Sequence, residues 1–425
     1  MMTTFFAKLK NPVILLMLST VVSQIVPLLF MPWISRVYSP GDFGAYGAAL
    51  SIISFFGIAA CLRYELAIAL PKSERDARLI LIATLAISTI VSIFSGVVLF
   101  FLSSSGFFKI IPYKNLAEIC FVVLGVGFVG AIQSLSAFAN RVGDFKSLAI
   151  SRIIQNVSVV AFQIGFFYFG MDRGLYWGYL LGQAFFVVFI FWMGATYFNL
   201  NKKFFVFFSV KFLTVRSLGL LRKYSGFLKY DLAAALLNTG SSVLVIPMIG
   251  YKYGIEASGL FFLVQRVISA PVLFVSSSLA DVFRSNVSKK RREGLDFSLD
   301  FLKMLRLTIM LAIAPAAILM LWGEMAFIVV FGAQWAKAGA LASVMAMMMF
   351  FRFSSYPLSF VIVVMQKQKV NFFSNALTFV LLLAGFYFSE SMNDFVRIYV
   401  FIYSLFYFFQ IIYSAVLSGV FRSFR

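Results

Sequence analysis

The 425-residue chain contains no histidine, only two cysteines and just 12% charged residues. Without imidazole it cannot run Ser-His-Asp or Cys-His hydrolysis, ligate a metal through histidine, relay protons through histidine, or act as a His-dependent membrane acyltransferase. Cys61 and Cys120 each sit inside an apolar run. They assemble neither a disulfide framework nor a metal site, and read as small hydrophobes packed in helices. No G-x-x-x-x-G-K-[ST] loop occurs, which excludes ATP hydrolysis through a P-loop. Gly125, Gly127 and Gly130 do spell G-x-G-x-x-G, with Asp144 near the distance of a ribose-binding acid. That fingerprint needs a strand, a turn and a helix N-terminus, whereas these glycines lie within a continuous apolar run. Close helix packing accounts for them, as it does for Gly174, Gly178 and Gly182. The expectation is a protein with no catalytic residues, no metal and no cofactor.

What is abundant is apolar: 62% of residues are hydrophobic and the mean hydropathy is +0.95. Ordinary globular chains are about 45–50% apolar and about 25% charged. This chain has too little polar surface to cover itself in water, so its solvent is lipid. A bilayer core of about 30 Å takes about 20 apolar residues per helix. Twelve such runs are legible, at 12–35, 44–63, 79–103, 116–138, 148–170, 174–197, 229–250, 258–281, 301–322, 339–363, 370–388 and 396–419. The predicted fold class is an all-α polytopic membrane protein. The first run, after Lys8 and Lys10, exceeds a signal-peptide core and lacks a small-residue cleavage site, so it reads as an anchor.

The net charge of +20 invites a nucleic-acid reading, but such a partner wants Lys and Arg interleaved with aromatics on one solvated face. Here basic residues recur in every second loop. With the N-terminus in the cytoplasm, 27 of the 36 Lys and Arg fall on the cytoplasmic side. Seven fall outside: Arg36, Lys109, Lys114, Arg173, Lys252, Lys337 and Arg397. Arg266 and Arg352 lie within spans. The excess is an orientation signal, with both termini cytoplasmic and no nucleic-acid partner.

A shift of 215 residues superposes Pro32 on Pro247, Tyr38 on Tyr253, Gly44 on Gly259 and Tyr46 on Phe261. The pattern predicts a six-plus-six duplication, with lobes at 1–197 and 229–425. Parallel halves related by an axis along the membrane normal are a transporter architecture. Between them, 198–228 mixes Lys202, Lys203, Lys211, Arg216, Arg222 and Lys223 with Phe204, Phe205, Phe207 and Phe208. That composition suits an amphipathic linker on the anionic inner leaflet, with inner-membrane lipids as partners.

Polar residues inside the apolar runs share helix faces. Arg152, Asn156 and Gln163 form one stripe; Gln133, Ser136 and Asn140 another; Asp231, Asn238 and Ser242 a third. The second half adds Arg352, Tyr356 and Ser359, and Asn371, Asn375 and Thr378. Interhelical hydrogen-bond glue explains any single stripe. Several in both halves point to a hydrated cavity, to which Arg266 and Arg352 bring charge. A guanidinium fork suits phosphate oxygens, so the expected ligand is an anion; pairing of these arginines with Asp231 or Asp281 on a neighbouring helix is the alternative. Glu65, Asp231 and Asp281, near span ends, are candidates for ion coupling, or ion-pair partners of Arg63, Lys229 and Arg284.

Outer loops are short and their acids scattered, which weakens a membrane glycan polymerase or transferase with paired carboxylates. An exporter of organic cations or drugs would need carboxylates without competing arginines.

Two stretches carry a family resemblance: Tyr38-Ser39-Pro40-Gly41-Asp42-Phe43-Gly44, and Arg63-Tyr64-Glu65-Leu66-Ala67-Ile68-Ala69-Leu70-Pro71-Lys72. In the second half Tyr253-Gly254-Ile255-Glu256-Ala257-Ser258-Gly259 leads into Gln265-Arg266-Val267, and Gly332 with Trp335 precedes Arg352, Pro357 and Gln366. Together these resemble the Wzx-type polysaccharide flippases of the MOP (multidrug/oligosaccharidyl-lipid/polysaccharide) exporter superfamily. The resemblance implies two six-helix lobes around a central cavity. It further implies transport of undecaprenyl-diphosphate-linked O-antigen or capsule repeat units across the bacterial inner membrane. Cavity cations meeting the diphosphate would be Arg63, Arg152, Arg266 and Arg352. The polysaccharide polymerase and the chain-length regulator are its candidate partners.

Overall fold

A computed structural model of the chain describes residues 12–104, 116–193 and 215–422. Lys8, Lys10, Lys109, Lys114 and linker residues 198–214 lie outside the described residues, as does the side chain of Asn238. Among the described residues all regular structure is helical, and ten helices are long and apolar enough to cross a membrane. Lipid offers no partner for an open backbone, so each span must satisfy its N–H and C=O groups internally.

The chain divides into two compact units. Unit 1 comprises Met1–Tyr38 and Ala45–Lys252, and unit 2 comprises Ser39–Gly44 and Tyr253–Arg425. In chain order the first helices are α1 (Pro12–Val37), α2 (Pro40–Ala59), α3 (Glu74–Ser104), α4 (Leu116–Val142), α5 (Phe145–Tyr168) and α6 (Gly174–Met193). They are followed by α7 (Val215–Lys223), α8 (Leu232–Val243) and α9 (Val245–Tyr253). Asp144 caps α5 by accepting from the Ser147 amide at 3.1 Å, satisfying one orphan donor of the first turn. The span at 229–250 is broken. A π-helical turn at Phe227–Asp231 precedes α8, and the chain restarts at Val245 because Pro247 has no N–H to give the Val243 carbonyl.

Within unit 1, α5 packs on α6 and α1, α3 on α4, and α4 on α6. Glycines let the α5–α6 pair close up: a Cβ on Gly178 would meet the Gln163 backbone nitrogen at 2.7 Å, and one on Gly182 the Gln155 carbonyl at 2.9 Å. Gly125 and Gly130 likewise abut Ile53 and Ser88, a packing role. The stretch 229–252, placed by the sequence at the start of the second lobe, groups here with unit 1. Asp231 pairs with Arg63 at 2.8 Å and Gly240 lies against the Phe55 ring. The described end of the linker, α7, buries Leu221 with Tyr64 and Ala83, while Arg216 pairs with Asp76 at 2.8 Å.

Unit 2 contains α10 (Ile255–Pro271), α11 (Ser277–Arg292), α12 (Ser298–Phe331), α13 (Ala336–Leu358), α14 (Phe360–Val364), α15 (Gln368–Phe388) and α16 (Met392–Ser418). A π-helical turn at Val272–Ser276 follows Pro271, the kind of local defect that frees backbone groups at functional sites. Here α12 packs on α13, α13 on α16 and α15 on α16. Shifted by 215, these are the α3–α4, α4–α6 and α5–α6 pairs of unit 1. The repeat is sharpest where Ser39–Gly44 crosses α10. A Cβ on Gly44 would stand 1.8 Å from the Ile255 carbonyl, and one on Gly259 1.8 Å from the Pro40 carbonyl. Positions 40 and 255, and 44 and 259, are each 215 apart, so the contact is reciprocal.

Candidate functional site

Two polar clusters stand out, one inside each unit. The first lies just after α2, where Leu62 and Arg63 adopt left-handed φ values of 49° and 65°. Such conformations cost about 1–3 kcal/mol each for non-glycine residues and gather at functional sites. They open a 3₁₀ turn at Tyr64–Ala69, and Arg63 reaches two carboxylates from it. Its Nε donates to Asp231 Oδ2 at 2.8 Å and an Nη to Glu65 Oε1 at 3.4 Å. Glu65 is buried, and its Oε2 has no hydrogen-bond partner among the described residues. Burial pushes the Glu65 carboxyl above the ordinary carboxylate range; a backbone hydrogen bond and Arg63 oppose this, and Asp231 adds to it. Two carboxylates against one guanidinium leave one negative charge uncompensated, a place for one proton or one cation.

The second cluster runs through unit 2. Arg352, on α13 in the middle of an apolar run, donates to Ser269 Oγ on α10 at 3.2 Å. It lies within electrostatic reach of Tyr399 and Tyr407 on α16. One turn on, Ser355 donates to Gln410 Oε1 at 2.8 Å, and Gln410 Nε2 donates to Asn371 Oδ1 at 3.2 Å. Asn375 Nδ2 donates to the Asn371 carbonyl at 2.8 Å. The chain of amides therefore ties α13, α16 and α15. Arg266 lies over the Phe262 ring, 5.8 Å from its centroid, a cation–π arrangement. Among the described residues neither Arg266 nor Arg352 pairs with an acid.

The structure thus brings Arg63, Glu65 and Asp231 together, and Asn371 with Asn375. The other candidates stand apart. Arg152 is half-buried on α5, where its carbonyl accepts from Asn156 Nδ2 at 3.1 Å. Gln133 donates to the Gly57 carbonyl at 3.2 Å. Asn140, at the end of α4, and Asp281, on α11, are exposed. Sequence patterns did not single out Gln410 or Ser269. Gln410 had a signal: it is a lone amide in the run Leu405-Phe406-Tyr407-Phe408-Phe409-Gln410-Ile411, and polar groups in such runs are costly enough to be placed for a reason.

The fold has solved relatives. The chain resembles an inward-facing multidrug resistance transporter of the MATE family of the MOP superfamily at 13% identity, with a TM-score of 0.70 over 94% of this chain and 96% of that one. The lipid II flippase MurJ, in an inward closed conformation, gives 12% identity and a TM-score of 0.72 over 95% and 90%. A MOP superfamily transporter from Pyrococcus furiosus gives 12% identity and a TM-score of 0.58 over 96% and 94%. At such identities the likeness is one of fold. No curated protein matches the sequence. The family model described as polysaccharide biosynthesis protein matches residues 33–340. With most of its length matched and a MOP-type helical fold, the chain belongs to the polysaccharide biosynthesis protein family.

Proposed function

We propose that this protein is a transporter, a Wzx-type flippase that carries undecaprenyl-diphosphate-linked O-antigen or related repeat units from the cytoplasmic to the periplasmic leaflet of the bacterial inner membrane. The observation that carries this reading is Arg352, a guanidinium within an apolar span, held by Ser269 and by no acid among the described residues. A central arginine costs about 2.5–3.5 kcal/mol on insertion scales, and its planar fork matches phosphate oxygens. The family match supports a polysaccharide substrate, and the fold supports alternating access.

In this mechanism Arg152, Arg266 and Arg352 draw in the diphosphate, while Arg63, expected from the sequence to join them, is taken up by Glu65 and Asp231. Gln133, Asn140, Asn156, Asn371 and Asn375 hydrate the sugars while the polyprenyl tail stays in lipid. Binding alone shifts equilibria only by state preference, so direction needs a second input. Glu65 and Asp231, sharing Arg63, are the proposed ion-coupling pair, and Asp281 is a further candidate. The charge distribution supports cytoplasmic termini. The polymerase and the chain-length regulator are the proposed downstream partners.

Multidrug export has the MATE likeness behind it, but an organic cation is repelled by unpaired arginines. The deciding test is leaflet-resolved labelling of the lipid-linked repeat unit in cells lacking this protein and any redundant flippase. Outer-leaflet exposure should vanish and be restored by the wild-type chain. Arg352→Ala with Arg266→Ala should impair surface glycan at unchanged protein level, with Arg→Lys rescuing partly. Unchanged exposure without the protein would refute the reading.

A further inference from the structure

We propose a second binding site, in unit 2, for a phosphate ester of a polyol such as a phosphoglycerol or glycosyl phosphate. It is separate from the arginine and amide clusters above. A cavity of about 690 Å³ opens among the first turns of α10, α13 and α16, at the end of the unit opposite the basic segment 284–306. That volume lies within the range of about 300–1,000 Å³ common for small-molecule sites.

Lys337 on α13 and Arg397 on α16 line the cavity, with Glu256 as the one carboxylate among the lining residues. Among the described residues none of the three is in an ion pair. The net charge of the lining is therefore positive. Three helices of 17, 23 and 27 residues present their N-termini here, and their dipoles add positive field, offset in part by the first-turn acids Glu256 on α10 and Asp394 on α16. A phosphate meets this field through Lys337 and the Arg397 fork. The rest of the lining is suited to hydroxyls: the Glu256 carboxylate accepts, the Asn393 amide does both, and the Tyr253 ring offers a flat face. Tyr253 is fixed in place by a short hydrogen bond between its hydroxyl and Ser389 Oγ and by stacking on Phe395.

Charge bookkeeping over the whole chain makes the pair unusual. Lys337 and Arg397 are two of only seven basic residues assigned to the outer side, where they work against the orientation signal. Two sources supply this chemistry: an anionic phospholipid headgroup of the adjacent leaflet, or the sugar phosphate of the translocated substrate. Only the second source rests on the flippase reading.

The test uses the purified full chain in phosphatidylcholine nanodiscs, titrated calorimetrically with glycerol 3-phosphate, glucose 1-phosphate and inorganic phosphate. In parallel, phosphatidylglycerol retention is read by native mass spectrometry from mixed nanodiscs. Wild type should bind at least one ester more tightly than inorganic phosphate. Lys337→Gln with Arg397→Gln should weaken that binding about tenfold or more, the loss of roughly one charge-assisted contact. Both side chains are exposed, so an unchanged melting temperature should certify the variant. Phosphatidylglycerol retained by wild type and lost in the double variant assigns the lipid source; preference for glucose 1-phosphate assigns the sugar phosphate. Equal binding by wild type and double variant, or no binding of any ester or lipid, would overturn the site. These readouts involve no transport, so they can fail while the leaflet labelling succeeds, and the reverse.

Discussion

The reciprocal glycine crossing in unit 2 makes a sharp prediction. Replacing Gly259 with alanine puts a Cβ 1.8 Å from the Pro40 carbonyl, and replacing Gly44 puts one 1.8 Å from the Ile255 carbonyl. Both obstacles are backbone atoms, so no rotamer relieves them. Reaching even a 3.0 Å approach requires the two segments to separate by about 1.2 Å. That separation also stretches the hydrogen bond from Ser258 Oγ to the Gly44 carbonyl, now 3.2 Å. Overpacking costs about 1–3 kcal/mol, and the strained hydrogen bond up to about 1 kcal/mol more. Each single substitution should therefore lower stability by about 1–4 kcal/mol. Because one movement relieves both clashes, the double substitution should cost clearly less than the sum, as expected for sites that share a backbone shift. Gly41→Ala is the internal control: its Cβ would meet Ser39 Oγ at 3.6 Å and Glu256 Cγ at 3.9 Å, ordinary contacts. Helix propensity should make it neutral or stabilising by about 0.5–1 kcal/mol. The assay is thermal unfolding of the purified chain in detergent, at matched lipid content. Single variants as stable as wild type, or a strictly additive double variant, would refute the reasoning.

Two further outcomes follow from the clusters. Burial holds the Glu65 carboxyl above its ordinary value of 4.5, so the folded state favours the proton. Its contribution is fully present below pH 4.5 and is lost as pH rises through the raised value; the wild-type melting temperature should fall across that window, and Glu65→Gln should flatten the fall. Identical slopes in the two proteins would remove Glu65 as a titrating group. In unit 2, Gln410→Leu strands the Ser355 hydroxyl and leaves Asn371 Oδ1 with Asn375 Nδ2 at 3.3 Å as its remaining donor, which should cost about 1–3 kcal/mol. Adding Ser355→Ala should recover part of that loss in the same melting assay, whereas no loss at all would mean that the amide chain is not formed.

Much of the architecture was readable from local pattern. Spans such as 116–138 and 174–197 correspond closely to α4 and α6, because hydropathy is a property of consecutive residues and a bilayer of fixed thickness sets the length. The offset of 215 was visible in prolines, tyrosines and glycines because close crossings and helix breaks tolerate few residue types. The break at Leu244 was less legible: a continuous apolar run conceals a missing backbone donor unless Pro247 is weighed against the ladder it interrupts. Nor did the run 229–250 reveal its allegiance to unit 1, since that rests on Asp231 meeting Arg63, 168 positions earlier.

Charge followed the same division. The sequence by itself determined that the chain is built to lie in lipid, that its basic residues recur in alternate loops, and that no imidazole chemistry is available to it. These are sums over residues, indifferent to how helices neighbour one another. Only the tertiary structure decided which charges are paired: Arg63 with two acids, Arg352 with a serine, Lys337 and Arg397 around a cavity. The physical reason is range. Transfer into lipid is counted residue by residue, but an ion pair or hydrogen bond acts over about 3 Å and depends on which distant helices come to lie side by side.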